Sequence, residues 1–165
     1  RYQVNGARTC PVLGRLLADG QADVDFGSKD SPGFSPIDAD NGLVFDHQNP
    51  TGLALQTDGS IVFAAAVFDD DLAPAFVAAR TDVTGKLDQA FGDNGVSIVG
   101  MDPSTIHADA NALTLQSGQP VIVGSNSFLS DANELLIRAT VVRLTADPVF
   151  SDGFDPSPLT VVTLT

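Results

Sequence analysis

The sequence is poor in the residue types from which disulfides, metal sites and aromatic binding surfaces are built. It contains one cysteine, Cys10, so no internal disulfide is possible. We interpret Cys10 as a small apolar residue, with an intermolecular bridge as the alternative. Tryptophan is absent and Tyr2 is the single tyrosine, which gives little support to a surface that stacks on carbohydrate rings.

Positive charge is also scarce. The 165 residues include two lysines, Lys29 and Lys86, and the net charge is −13. Nucleic acids and anionic membrane surfaces are bound through Lys and Arg, so this charge balance argues against both partners. No stretch approaches the roughly 18 consecutive apolar residues of a membrane-spanning helix. We therefore expect neither nucleic-acid binding nor membrane insertion.

What the chain has in abundance is aspartate. Of its 21 acidic residues 20 are Asp, and Glu134 is the exception. Asp favours caps and turns, where its short carboxylate accepts hydrogen bonds from nearby backbone N–H groups, whereas Glu favours helices. Hydrophobic residues make up 43% of the chain, which is enough for a globular core. The composition predicts one all-β domain of short strands joined by many turns.

Two phrases recur along the chain. The first reads RLLADGQADVDFG over Arg15–Gly27, RTDVTGKLDQAFG over Arg80–Gly92 and RLTADPVFSDGFD over Arg143–Asp155. The second reads LALQTDGSIVFA from Leu53 and LTLQSGQPVIVG from Leu113. Such recurrence is typical of a tandem array of supersecondary units. We divide the single domain 1–165 into a half unit over 1–50 and full units over 51–110 and 111–165.

Short apolar runs, separated by clusters of Asp, Gly, Asn and Pro, predict four antiparallel strands in each full unit. In the half unit the fourth strand is not evident, because Gly42–Phe45 is the only apolar stretch within Ser31–Pro50. Helix should be nearly absent. The predicted strands cover 12–17, 53–56, 61–68, 75–80, 96–99, 113–116, 121–124, 135–143 and 159–164.

The first phrase has a physical interpretation. Its arginine ends a strand and can reach a carboxylate or strand-end carbonyls. Gly20 and Gly85 fit tight turns that need positive φ, whereas Pro148 replaces this glycine in the third copy. The phenylalanine recurs at a fixed register, which predicts that Phe26, Phe91 and Phe154 are buried plugs between adjacent units.

The unit from Leu53 resembles the delta-60 repeat, a bacterial repeat of similar length. The resemblance covers nearly all the chain except Ser31–Pro50 and is looser over 111–165. It implies propeller-like, four-stranded antiparallel blades of the kind found in large extracellular proteins. The matching residues are Leu55, Gln56, Asp58, Gly59, Ile61, Val62, Ala79, Arg80, Gly85, Leu87, Asp88, Phe91, Gly92 and Gly95.

The number of units departs from a propeller. Closed propellers have about four to eight blades, and about two and a half units cannot close a ring. We therefore keep three interpretations open. The chain is a fragment of a larger protein, or its copies complete one another, or its strands form an open β-sandwich.

Residues that could carry chemistry are few. Weak calcium candidates lie on two acidic turns, neither of which has the full ligand spacing of a calcium loop, and solvated turns are the alternative. His47 and His107 each lie near an aspartate, but the sequence contains no nucleophile elbow G-x-S-x-G. The calcium candidates are Asp38, Asp40, Asp69, Asp70 and Asp71.

These observations favour a non-catalytic structural or interaction module that needs no cofactor. Its partners would be copies of itself or the rest of a larger repeat protein. The alternatives are a sugar- or calcium-binding fragment of a secreted propeller protein and, less favoured, a secreted hydrolase. The acidic character, scarce Lys and Cys, and absence of an initiator Met indicate a secreted or cell-surface protein, and the resemblance implies a bacterial one.

Self-assembly is expected because an incomplete array leaves unsatisfied surfaces. The uncharged run LTVVTLT over Leu159–Thr165 could pair with another copy along its edge, or could close its own sheet. We also expect an uncovered face that includes Phe63, Phe68, Leu113 and Ile122. Head-to-tail joining would give a ring if the rotation closes and a filament if it does not.

Overall fold

The computed structural model describes residues 11–37, 51–69, 72–144 and 161–164, with side chains for all of these except 68–69, 72–73 and 161–164. The described residues form strands and turns without helix, which confirms the predicted all-β class. None of these residues forms a helix that could cross a membrane. The strands are β1 Val12–Gly14, β2 Gly27–Ser28, β3 Ser31–Pro32, β4 Phe34–Pro36, β5 Gly52–Leu55, β6 Ile61–Asp69, β7 Leu72–Thr81, β8 Val96–Gly100, β9 Thr105–Gln116, β10 Gln119–Leu129, β11 Leu135–Arg143 and β12 Val161–Leu164.

Two four-stranded antiparallel sheets follow one another in the chain. The middle sheet has the order β5-β6-β7-β8, and the last sheet has the order β12-β11-β10-β9. Hairpins join β5 to β6 and β6 to β7, and likewise β9 to β10 and β10 to β11, which makes these neighbours antiparallel. Val62 lies opposite Arg80 in the middle sheet, and Val121 lies opposite Arg143 in the last sheet. The two arginines of the first phrase therefore occupy the same place in their sheets.

The first hairpins of the two sheets differ by one residue. Leu55 pairs with Ile61 in the middle sheet, whereas Leu115 pairs with Pro120 in the last sheet. The tighter turn places Ser117 and Gly118 at φ 53° and 80°, the positive angles that a two-residue hairpin loop requires. A gap-free alignment of the second phrase is consequently one residue out of register after the turn.

The half unit contributes a smaller first sheet, β1 paired with β4, with the hairpin β2–β3 between them. The strand predicted over 12–17 ends at Gly14, because Leu16 already lies in an isolated bridge to Ala22. The fourth strand that the sequence did not reveal is Phe34–Pro36. The Gly42–Phe45 run lies outside the described residues.

Side chains from the three sheets form two cores. One lies between the first and middle sheets and includes Leu13, Phe26 and Phe63. The other lies between the middle and last sheets and includes Val62, Phe76 and Phe91, together with residues of β9, β10 and β11. Alternation along β6 sends Val62 to one core and Phe63 to the other. The middle sheet is thus covered on both faces.

The prediction that Phe63, Leu113 and Ile122 lie on an uncovered face is wrong. Phe63 and Ile122 are fully buried, and Leu113 packs against the second core. Each faces the preceding sheet, which covers it. The side chain of Phe68 lies outside the described residues, as does Phe154.

Candidate interaction interface

Two copies of the first phrase fold into the same loop, which we call the arginine loop (15–27 and 80–92). In each, the guanidinium Nε donates to an aspartate Oδ2 at 2.8 Å, Arg15 to Asp23 and Arg80 to Asp88. The same guanidinium lies over the phenylalanine of its loop, 4.8 Å from the Phe26 ring and 4.9 Å from the Phe91 ring. The sequence-predicted pairing of each arginine with a carboxylate is confirmed for these two copies.

Each aspartate of the pair also shapes the backbone. The N–H of Asp23 donates to the Arg15 carbonyl at 2.9 Å, and its Oδ1 accepts the Asp25 N–H at 3.0 Å. Asp88 makes the equivalent bonds with Arg80 and Ala90. The carboxylate therefore neutralises the arginine and caps the turn that carries the phenylalanine.

The first arginine loop docks on a turn of the middle sheet, Asp82–Lys86, which we call the docking turn. Three donors from the half unit bind three successive carbonyls of this turn. Arg15 Nη1 donates to the Val83 carbonyl at 2.7 Å, and the Gly27 N–H donates to the Thr84 carbonyl at 2.8 Å. Ser35 Oγ donates to the Gly85 carbonyl at 2.6 Å. All three carbonyls point out of the turn and have no sheet partner to satisfy them.

Phe26 fills the space beside these bonds. It is fully buried, and a side chain on Gly85 would meet the ring at 2.7 Å. Gly85 also has φ 89°, so both its backbone angle and its contact with Phe26 require glycine. Phe26 and Phe91 are thus buried plugs between sheets, as predicted from the sequence.

A carboxylate holds the docking turn in shape. Asp82 Oδ1 accepts hydrogen bonds from the Thr84 N–H at 2.8 Å, the Thr84 hydroxyl at 2.7 Å and the Lys86 N–H at 3.1 Å. Burial works to raise the pKa of Asp82, but the hydrogen bonds from Thr84 and Lys86 outweigh it and the pKa is lowered. The turn is therefore a preformed acceptor.

A second contact joins the middle and last sheets. Gln56 Nε2 donates to the Gly118 carbonyl at 2.7 Å, so again a side chain of one sheet binds a turn of the next. Elsewhere in the last sheet, the buried Asn126 amide donates to Thr105 Oγ1 at 3.1 Å and accepts from Thr140 Oγ1 at 2.9 Å. These two bonds satisfy the buried Asn126 amide.

The outermost face of the last sheet is apolar and exposed. Val123 lies opposite Val141 in the row that Ala64 and Ala78 occupy in the middle sheet. Ala64 is fully buried, whereas Val123 is 39% exposed and Ile137, on the same face, is 72% exposed. We call this surface the last outer face; its exposed apolar side chains are Val123, Leu129, Leu135 and Ile137.

An apolar face is also exposed on the opposite side of the molecule. Leu53 lies opposite Phe63 and shares its face, but the two-stranded first sheet covers only Phe63, and Leu53 is 60% exposed. On the first sheet, Leu13 points inward while its neighbour Val12 points outward. The exposed apolar side chains on this side all face away from the last sheet but belong to two layers, Val12 and Phe34 to the first sheet and Leu53 and Leu55 to the middle sheet beyond the two strands of the first. We call them together the first outer face.

Of the residues that the sequence singled out for chemistry, the structure describes the side chain of His107. His107 Nε2 lies 3.1 Å from Asp109 Oδ1 on an exposed strand, and Ser104 donates to Asp102 rather than to the histidine. No group of three or more His, Cys, Asp or Glu within the described ranges could hold a metal ion.

Several of the predicted site residues cannot be placed. The backbone of Asp69 ends β6, but its side chain lies outside the described residues. The other calcium candidates and two further residues of interest lie outside them altogether. These are Asp38, Asp40, Asp70, Asp71, His47 and Cys10.

Sequence reasoning missed the acceptor half of the interface. The carbonyls of Val83, Thr84 and Gly85 carry no side-chain signal, and backbone acceptors leave none in a sequence. Of the donors, Gly27 could have been found, because Gly92 ends the second copy of the phrase at the same position.

Comparisons with protein-family models, with curated proteins and with solved structures found no match for the chain. The likeness to delta-60 repeats therefore rests on the sequence motifs alone.

Proposed function

We propose that this protein is a non-catalytic structural or interaction module, built of propeller-like blades, that associates head to tail with further copies of its own repeat. The observation that carries the proposal is the pair of exposed apolar outer faces. Each outer face corresponds, by strand position, to a face of another sheet that is covered within this chain.

The correspondence supports one kind of partner. Ala64 and Ala78 of the middle sheet pack against the last sheet, and Val123 and Val141 occupy the same row one sheet further on. A surface that repeats the row of a buried internal interface is suited to another sheet of the same kind. Covering this surface would remove apolar area from water, which stabilises an association by about 25 cal/mol per Å² buried.

We attribute the proposed association to the sheet faces rather than to the final strand. β12 pairs with β11 over four residues, from Val161 opposite Val142 to Leu164 opposite Ala139. This strand therefore closes its own sheet along one edge, which was the alternative that the sequence left open. Stacked faces joined head to tail give a ring or a filament according to the rotation between copies.

The net charge of the chain makes the proposed association depend on salt concentration. Copies that each carry a net charge of −13 repel one another over distances comparable with the Debye length, about 8 Å at 0.15 M salt. Added salt should therefore strengthen an association driven by apolar faces. A secreted or cell-surface location, as indicated by the sequence, belongs to the same proposal.

Sedimentation over a wide concentration range in 0.15 M and 0.5 M salt tests the proposal. We expect masses above the 17.1 kDa of one chain, rising with both concentration and salt. Ile137→Lys should shift the equilibrium to monomer, because it places a charge on the last outer face. Pro103→Lys, in the exposed turn before β9, adds the same charge elsewhere and should have little effect. A wild-type chain of 17.1 kDa at every concentration would overturn the proposal.

A further inference from the structure

The half unit contains a second turn with the backbone form of the docking turn, Leu17–Gln21. In both turns the N–H of the first residue donates to the carbonyl of the last at 2.8 Å, from Leu17 to Gln21 and from Asp82 to Lys86. Their glycines have φ 84° and 89°. The backbone that receives Arg15, Gly27 and Ser35 on the middle sheet therefore recurs in the half unit, as it also does over residues 56–60.

This second turn has no occupant among the described residues. None of them donates a hydrogen bond to the carbonyls of Ala18, Asp19 or Gly20, all of which are exposed. A side chain built on Gly20 would meet nothing within 4 Å, whereas on Gly85 it would meet Phe26. The acceptors and the space for a ring are both present.

A matching donor lies on the far side of the molecule. Arg143 occupies the strand position of Arg80, and Arg80 matches Arg15 in the first phrase. Its side chain is exposed, and its one hydrogen bond among the described residues is a long one, 3.4 Å to Gln116 Oε1. The turn offers a complementary charge, because Asp19 stands where the occupied turn has Thr84.

We propose that the turn Leu17–Gln21 of one copy is the docking site for Arg143 of a second copy. The guanidinium donates to the Ala18 carbonyl as Arg15 does to Val83, beside the carboxylate of Asp19. This inference rests on the proposed head-to-tail association and names the contact that aligns it.

Two variants test the contact, each with a matched control. Gly20→Asn keeps a residue that tolerates positive φ and fills the open space with a side chain. Gly118→Asn is its control, because Gly118 has φ 80° and likewise nothing within 4 Å, but its carbonyl already binds Gln56. Arg143→Gln removes the charged guanidinium, and Arg138→Gln removes the same charge from a side chain that lies over Phe128.

The measurement is the dissociation constant by sedimentation at fixed salt, with the melting midpoint as a check on folding. Gly20→Asn and Arg143→Gln should each weaken self-association about tenfold or more, as expected for loss of a hydrogen bond to a charged group. The two controls should leave the constant within about twofold. If both test variants associate as tightly as wild type, the contact is wrong while the association stands.

Mixing the two test variants gives the sharper result. A chain with Gly20→Asn retains Arg143, and a chain with Arg143→Gln retains the open turn, so together they form one intact joint. We expect each alone to be largely monomeric and the mixture to form one-to-one dimers that grow no further. A mixture as monomeric as its components would overturn the assigned contact, and a monomeric wild type would overturn the proposed function with it.

Discussion

The middle and last sheets have the same strand order, yet their second strands differ in pattern. In β6 the six residues from Val62 to Val67 are all buried. In β10 buried residues such as Ile122 alternate with more exposed ones such as Val123. A continuous apolar run is typical of a strand covered on both faces, and alternation of a strand covered on one. The apolar pattern of the second strand thus indicates which sheet is internal in this chain.

The two sheets also differ in the size of the residues in the row that faces the next sheet. Small residues in the middle sheet, such as Ala64 and Ala78, allow close packing against the neighbouring sheet. In the last sheet the row holds Val123 and Val141, which are larger and remain accessible. In the described part of the chain, sheet faces pack against each other at two internal interfaces. The first and last outer faces remain accessible to partners.

A charge in the shared row should have the largest effect. Ala64→Asp would bury a carboxylate between two sheets, at a cost comparable with the whole stability of a small domain, about 5–15 kcal/mol. Val123→Asp, in the same row of the last sheet, should leave the monomer folded and weaken self-association. Circular dichroism and sedimentation report the two effects, and equal loss of structure in both variants would contradict the comparison.

Truncating a plug should have the next largest effect. Phe91 is 6% exposed within the second core, so Phe91→Ala should lower the free energy of unfolding by about 3–5 kcal/mol. Phe34→Ala, on the first outer face, should change it by less than about 1 kcal/mol. Urea unfolding measures both values. An unchanged midpoint for Phe91→Ala would show that the plug assignment is wrong.

The arginines provide a smaller contrast. Arg80 bonds to Asp88 and lies over Phe91, so Arg80→Met should destabilise the chain by about 1–3 kcal/mol. Arg143→Met should cost less than about 0.5 kcal/mol in the monomer, because the side chain is exposed. Thermal unfolding at low concentration separates the two, and equal costs would place Arg143 in an internal role.

Acid should produce the smallest effect. Hydrogen bonds from Ser60 lower the pKa of Asp58, and those from Ser104 lower the pKa of Asp102. A carboxyl with a lowered folded-state pKa stabilises the fold above its unfolded-state pKa, about 3.9. That contribution is lost as pH falls through the lower folded-state value.

The variants change two turns, the β5–β6 hairpin that contains Asp58 and the connection between β8 and β9 that contains Asp102. Asp58→Asn and Asp102→Asn together should flatten the fall in melting midpoint below about pH 4. The corresponding hairpin of the last sheet has Ser117 and Gly118 and no carboxylate, so Ser117→Asn serves as the control. An unchanged acid profile in the double variant would show that these caps do not stabilise the turns.

The sequence predicted the strand class and the arginine loops well, because both depend on local patterns. Alternating or continuous apolar runs indicated β6, β7 and β11 close to their observed bounds. The prediction of β9 over 113–116 was too short, since the strand begins at Thr105 and its outward residues include His107 and Asp109. Polar side chains on an exposed face weaken the apolar signal of a strand.

Other features could not be predicted because they depend on contacts distant in sequence. Ser35 looks like a loop residue, and only the docking turn gives its hydroxyl a role, in the bond to the Gly85 carbonyl. Asn126 stands between two serines, and its buried position depends on hydrogen bonds with Thr105 and Thr140. Backbone acceptors such as the Val83 carbonyl leave no trace in residue identity.

Methyl NMR spectra recorded on dilution test head-to-tail stacking most directly. Such stacking pairs the first outer face of one copy with the last outer face of the next, an interface between different surfaces. We predict that Leu53 and Leu55 methyl resonances shift together with those of Val123 and Ile137, with one concentration dependence, while the buried Ile122 does not move. Shifts confined to one of the two faces, or no shifts at all, would contradict the account.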